Sequence, residues 1–387
     1  MKNRLIYMDH GATTPVREEV LEAMLPFFKE LYGNPSSLHS PGREVRRAVE
    51  GAREKTARSL GADPGEIYFT ASGTEANNIA LRGTARQRGK PGHIITSAIE
   101  HHAVYDVCKD LEHEGHRVTY LPVDRFGLVN PADLEKNIAP DTFIISVMFA
   151  NNEIGSLQPI RELAGIAKEH DILFHTDAVQ AVGQLPLDVG ELPVDFLSLS
   201  AHKFNGPKGI GALFMRKGTK VVPLYRGGSQ ENKIRPGTEN VPGIIGLGRA
   251  MELAVSEIPQ KKEKLEALRD HFISGLLEIE DVILNGHPRL RLPGNINVSF
   301  KHIEGESVLL SLDLEGVAAS SGSACSSGSS EPSHVLTAIG LDHSIAHGSI
   351  RFSLGRGSTE EDVDFVLEKI PAIVKRLRGI SPTYHAR

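Results

Sequence analysis

Ser200-Ala201-His202-Lys203 follows the apolar run 194–199, and Asp177 closes the preceding apolar run 172–176. A lysine and a carboxylate at the ends of neighbouring strands suit an aldehyde cofactor. The amine can form a Schiff base with pyridoxal 5'-phosphate (PLP), and the carboxylate keeps the pyridine nitrogen protonated so that the ring accepts electrons. A second reactive group is Cys325, within Ser320-Ser321-Gly322-Ser323-Ala324-Cys325-Ser326-Ser327-Gly328. Small residues on both sides predict either a plain linker or a loop able to carry a thiol to a cofactor and away again. No Lys or Arg lies between Ala318 and Glu331, so activation of that thiol has to come from groups the fold brings near, such as His101 or the cofactor.

Around this pair stand residues whose types fit the rest of such a site. Ser72-Gly73-Thr74 follows the apolar run 67–70 and opens a helical stretch, where free N–H groups and the Thr74 hydroxyl can hold a phosphate. Nucleotide loops compete poorly: residues 83–90 have one residue too many for a P-loop and continue into Pro91, and no G-x-G-x-x-G opens a helix. His101, after the run 93–96, can lie against a ring or shuttle protons. Metal ligation is disfavoured, because adjacent His101 and His102 do not reach one ion and neither C-x-x-C nor H-E-x-x-H occurs. Arg351 can clamp a carboxylate through two parallel hydrogen bonds, and Asn152 lies in the loop after the run 143–147. Taken singly, a solvated charge, a helix cap, a turn residue and an ion pair would explain Lys203, Thr74 or His101, Asn152 and Arg351. His113 and His116 read as surface residues, and Cys108 as a buried small hydrophobe.

Such residues need a scaffold, and the chain supplies one. Short β-branched runs at 67–70, 93–96, 118–121, 143–147, 172–176, 194–199 and 210–214 alternate with helix-like stretches, the pattern of a mainly parallel seven-stranded sheet covered by helices. In such an α/β domain ligands gather beyond the carboxyl ends of the strands, where Asp177 and Lys203 fall. Residues 252–277 are charged and helical in pattern. Strands at 295–300 and 350–354 and helices at 305–312 and 360–377 then predict a smaller α+β domain carrying Cys325. The expected division is 14–258 for the large domain, with 1–13 and 259–387 forming the small one.

The 387 residues are 40% hydrophobic and 24% charged, with a formal net charge of -6 and no long block of one sign. This argues for a soluble enzyme, against a nucleic-acid partner and against a membrane. The start lacks a signal-peptide core, and two cysteines are too few for a disulfide framework, so a cytoplasmic location is expected.

Ser-x-His-Lys at 200–203, Glu-His at 100–101, Asn-Asn-Glu-Ile-Gly at 151–155, Ser-Ser-Gly-Ser-Ala-Cys at 320–325 and Arg-Phe-Ser-Leu-Gly-Arg at 351–356 together resemble the cysteine desulfurases of the NifS/IscS type. Ala12-Thr13-Thr14-Pro15, Tyr32-Gly33-Asn34-Pro35, Arg235-Pro236-Gly237-Thr238 and Glu304-Gly305-Glu306-Ser307 extend the resemblance over nearly the whole chain. It implies a fold-type I PLP-dependent transferase, a homodimer that takes sulfur from L-cysteine, leaves alanine and holds the sulfur as a persulfide. It also implies Lys203 as the Schiff-base lysine, Asp177 on the pyridinium nitrogen, Gln180 near the ring hydroxyl and His101 stacked on the ring. Thr74, Ser200 and His202 are implied on the phosphate, with Thr238 reaching in from the other subunit. Asn152 and Arg351 are implied on the substrate carboxylate, and Cys325 as the persulfide carrier on a long loop. Two departures stand out: Asp9-His10-Gly11-Ala12 where the family has Asp-Asn-Ala-Ala or close to it, and Pro236 where Ser is common. The acceptor, an iron–sulfur scaffold or another sulfur-using protein, is left open. Selenocysteine lyase activity and a non-catalytic assembly role are the competing readings.

Overall fold

The computed structural model describes residues 5–321, 332–382 and 384. Thirteen strands are present among them: β1 (Ile6–Tyr7), β2 (Ile67–Thr70), β3 (His93–Ser97), β4 (Arg117–Leu121), β5 (Thr142–Ser146), β6 (Leu173–Asp177), β7 (Phe196–Ser200), β8 (Gly211–Met215), β9 (Val282–Leu284), β10 (Asn295–Phe300), β11 (Val317–Ala318), β12 (Ser320–Ser321) and β13 (Ser349–Ser353). β2 to β8 form one sheet in the order β2-β8-β7-β6-β5-β3-β4. All neighbours in it pair in parallel except β8, which runs antiparallel to both β2 and β7.

The strands of this sheet are apolar because helices cover both faces. Neighbouring residues alternate between two cores: Phe196 and Leu213 join Ile79, Val104 and Leu111 on one side, while Leu197 and Phe214 join Val45, Leu163 and Leu247 on the other. Strand ends match the expected runs to within two residues. The stretch 252–277 is two helices rather than one: Val241–Ser256 and Ile258–Leu277 meet at Glu257, with Pro259 in the first turn of the second. A proline there gives up only a backbone donor that has no helical partner anyway.

A smaller antiparallel sheet, β12-β13-β10-β9, packs with helices Ile258–Leu277, Gly305–Leu314 and Glu360–Ile380 around Phe272, Val298, Phe352 and Ile370. Its register sets Arg351 of β13 opposite Asn297 of β10 on one side and Ser320 of β12 on the other. β1 lies parallel to β11, and the chain after it crosses β13 at Asp9 opposite Ser353 before reaching the larger sheet at Thr14, whose N–H donates to the His202 carbonyl. The first described residues therefore bridge the two sheets.

Candidate active site

β6 and β7 are parallel neighbours, so Asp177 and the turn Ala201–Lys203 leave the sheet at the same edge. They line one cavity of about 250 Å³ with Gly11, Ser72, Thr74, His101, Asn152 and Arg351. Asp177 is 5% exposed, and both its oxygens are held: Oδ2 accepts from Asn77 Nδ2 at 2.7 Å and Oδ1 from the Val179 N–H at 3.0 Å. Lys203 Nζ donates to the carbonyls of Gly11 and Ala12 at 2.6 and 2.9 Å, and Gln180 Nε2 donates to the Gly11 carbonyl at 3.0 Å. The segment that crosses between the sheets thus closes one side of the cavity.

At the opposite end Ser72 caps the helix Gly73–Arg88 by accepting from the Glu75 N–H. Gly73 and Thr74 at the start of that helix line the cavity, and N–H groups at a helix start together with a hydroxyl are able to hold an anion. A Cβ on Gly73 would stand 2.6 Å from Val179 Cγ2, so any larger residue there forces its neighbour to shift. Ser200 is buried, and His202 Nδ1 meets Thr13 Oγ1 at 3.1 Å. Burial, then the Lys203 and Lys208 charges, pull the His202 pKa down to about 4, so its imidazole is neutral at pH 7.

His101 caps the helix His102–His113, its Nδ1 accepting from the Ala103 N–H at 3.0 Å, which leaves the proton of the neutral ring on Nε2. Burial lowers its pKa. Beneath it the Glu100 carboxyl is wholly buried, accepts from Ser97 Oγ at 2.6 Å and the Met148 N–H at 2.9 Å, and is pushed up to about 8 by desolvation. Below Asp177 the buried His175 bridges Ser146 Oγ and Ser198 Oγ, and desolvation holds it down at about 4. Asp177 therefore sits above two neutral groups at pH 7.

The remaining wall comes from the smaller sheet. Arg351, 2% exposed, donates from Nη1 to the Asn152 carbonyl at 3.0 Å and from Nη2 to Asp9 Oδ1 at 2.8 Å. The Asn151–Gly155 turn is braced from behind: Asn295 and Asn297 amides donate to the Glu153 carbonyl at 3.1 and 3.2 Å, and Arg291 Nη2 donates to the Ile154 carbonyl at 2.9 Å. Ser333 Oγ donates to the buried Glu153 carboxyl at 2.5 Å, whose pKa desolvation raises to about 7.

Three buried polar atoms of the lining residues, Asn77 Oδ1, Asn152 Oδ1 and Arg351 Nε, have no hydrogen-bond partner among the described residues. Buried polar atoms are nearly always satisfied, so a polar ligand is the natural occupant. Helix start, lysine and buried carboxylate fit PLP from phosphate to ring nitrogen. The model of the aminotransferase class-V family matches residues 6–366. The chain belongs to this family. Its members are PLP-dependent, and relatives of this chain are cysteine desulfurases. A cysteine desulfurase IscS from Methanosarcina thermophila is 58% identical over 98% of this chain and 95% of its own. A NifS-like protein structure superposes with a TM-score of 0.92 at 42% identity, covering 97% of this chain and all of that one, 100%. The structure of SspA in complex with cysteine matches at 40% identity and TM-score 0.81, over 90% and 98% of the two chains.

The fold brings together Gly73, Thr74, His101, Asn152, Asp177, Gln180, Ser200, His202, Lys203 and Arg351. Thr238 is exposed and lies outside this cavity. Cys325 lies outside the described residues. Reading the sequence missed Asn77, and it named Asp9 and Glu100 only within motifs, with no role for either. Asn77 lies one helical turn beyond Gly73 and so faces the same way, a spacing that would have found it. His116 is half-buried against Phe143, with ring centroids 5.5 Å apart, rather than on the surface.

Proposed function

We propose that the chain is a PLP-dependent cysteine desulfurase that converts L-cysteine to L-alanine and holds the sulfur on Cys325 for transfer to an acceptor. The supporting observation is the shared cavity in which Lys203 and the doubly held Asp177 face Arg351 and Asn152. When bound, PLP supplies an aldehyde for amines and a ring that accepts an electron pair. Asp177 keeps the proton on the pyridine nitrogen, with Gln180 near the ring hydroxyl and His101 against the ring face. Gly73, Thr74, Ser200 and His202 hold the phosphate. Arg351 and Asn152 fix the substrate carboxylate, and Lys203 Nζ takes the proton from the substrate Cα. The Cys325 thiolate then attacks the substrate sulfur: an S–S bond forms, the C–S bond breaks, and its electron pair stays with the carbon that is protonated to alanine.

In this reading residues 14–258 carry the cofactor, and 1–13 with 259–387 form the smaller domain. The enzyme works as a cytoplasmic homodimer in which Thr238 reaches the partner's phosphate, and an iron–sulfur scaffold or another acceptor protein takes the sulfur. Among the described residues no helix is long and apolar enough to cross a membrane. The test is the visible spectrum of the purified protein before and after L-cysteine, with alanine and sulfide counted together. Matched products with a cofactor band support the reading, and a band without sulfur release points to another PLP reaction. No band after adding PLP removes the cofactor assignment. Cysteine turnover retained in Cys325→Ser would remove the role of that thiol.

A further inference from the structure

Arg351 already holds a carboxylate. Its Nη1 is taken by the Asn152 carbonyl, its Nη2 by Asp9 Oδ1 at 2.8 Å, and its buried Nε has no hydrogen-bond partner among the described residues. Nε and Nη2 are the two donors on one edge of the guanidinium, the edge that grips a carboxylate through two parallel bonds. Asp9 accepts from Nη2, one of these two donors, while the other, Nε, is buried and makes no hydrogen bond among the described residues. The Arg351 side chain is only 3% exposed, whereas that of Asp9 is 20% exposed and has water to move toward. The Asp9 backbone is fixed independently of its side chain, by its bridge to Ser353 and by the Ala12 N–H that its carbonyl accepts.

We propose that Asp9 is a resident carboxylate on the arginine that receives the substrate carboxylate, and that displacing or sharing it sets the affinity for the amino acid. The proposal rests on the reading of Arg351 as the substrate-carboxylate residue. Two carboxylates on one guanidinium repel each other, so the entering one is bound less tightly than it would be by a bare arginine. A buried guanidinium without a counter-charge would also collect any small anion. With Asp9 in place, only a ligand anchored elsewhere as well, as an amino acid is through its amine, gains enough to compete. The competition also ties ligand entry to the segment that carries the Gly11 and Ala12 carbonyls on Lys203 Nζ.

The test uses the holoenzyme with Asp9→Asn, which keeps an oxygen for Nη2 and removes the charge. KM for L-cysteine should fall about tenfold, a change of about 1.4 kcal/mol, with kcat/KM rising. A role confined to structure would not produce this. Calorimetric titration with L-alanine should tighten by the same factor, while cysteamine, which has the amine and thiol but no carboxylate, should bind as it does to the unaltered enzyme. If Asp9 only orients Arg351, Asp9→Asn will match the unaltered enzyme and Asp9→Ala will raise KM, which overturns the proposal. Equal tightening for cysteamine overturns it as well. If Arg351→Ala leaves both KM and L-alanine affinity unchanged, the underlying assignment of Arg351 fails instead. If Arg351→Ala weakens binding while Asp9→Asn does not strengthen it, only the role of Asp9 falls.

Discussion

Replacing Glu100 with glutamine isolates the cost of holding a carboxyl neutral beneath the cofactor site. In the folded chain its pKa is pushed from 4.5 to about 8 by complete burial, opposed by hydrogen bonds from Ser97 and the Met148 N–H. Its Oε2 is buried without a hydrogen-bond partner among the described residues. The folded state therefore retains a proton that the unfolded chain releases. A raised folded pKa gives stability that is fully present below pH 4.5 and is lost as pH climbs toward 8. At about 1.36 kcal/mol per pH unit, the loss between pH 5 and pH 8 comes to about 3 kcal/mol. Glutamine has no such proton, so this slope vanishes, whereas any packing cost of the amide is the same at both pH values. Other groups, such as His175 and His202 with pKa values lowered to about 4, contribute slopes of the opposite sign that are common to both proteins and cancel in the difference. Urea unfolding followed by far-ultraviolet circular dichroism, needed because the chain has no tryptophan, reads the result. Relative to the unaltered protein, the midpoint of Glu100→Gln should gain on the order of 0.5–1 M between pH 5 and pH 8. A difference that stays flat across this range would refute the claim that Glu100 is held protonated.

Four further variants have defined outcomes, three at contacts in or behind the site and one a control in the helix Ser40–Leu60. Asn77→Ala removes the 2.7 Å hydrogen bond to Asp177, a charged contact worth about 1.5–3 kcal/mol; titration of the cofactor-free protein with PLP should show roughly 10- to 100-fold weaker binding. Gly73→Ala drives a Cβ to 2.6 Å from Val179 Cγ2, overpacking that costs about 1–3 kcal/mol, and should speed cofactor loss on dialysis. Gly51→Ala, with nothing within 4 Å, should instead leave retention unchanged and raise helix stability by about 0.5–1 kcal/mol. Ser333→Ala strips the buried Glu153 carboxyl of its 2.5 Å donor, at a cost of about 1–3 kcal/mol, and thermal unfolding should show the loss growing from pH 5 to pH 8.

The larger sheet was legible because its central strands are buried on both faces and so read as largely apolar runs, β7 among them, while the edge strand β4 is only partly covered. Asp177 and Lys203 could be paired from sequence because parallel strands need crossovers of fixed hand, which carries both carboxyl ends to one edge. The antiparallel insertion of β8 between β2 and β7 was not legible, since an apolar run has no direction. The polar junction was hidden for another reason. Glu153 meets Asn295, Asn297 and Ser333 across some 140 to 180 residues, and Asp9 meets Arg351 across 342. Periodicity reports only on near neighbours, and the length of these separations is why a motif could name Asn152 and Arg351 without revealing what holds them.

β1 lies beside β11, and the Gly11 and Ala12 carbonyls hold a lysine in the middle of the chain while Asp9 meets Arg351 near its end. On a ribosome adding 5–20 residues per second, the first of these segments waits roughly 20–70 s for its last partner to emerge. Until then the larger sheet can assemble and its Gln180, His202 and Lys203 can hold residues 11–14, but Asp9 lacks its arginine. Biosynthesis itself thus sets an order of maturation: the cavity wall from the larger sheet can form early, and the wall that carries Arg351 is added last.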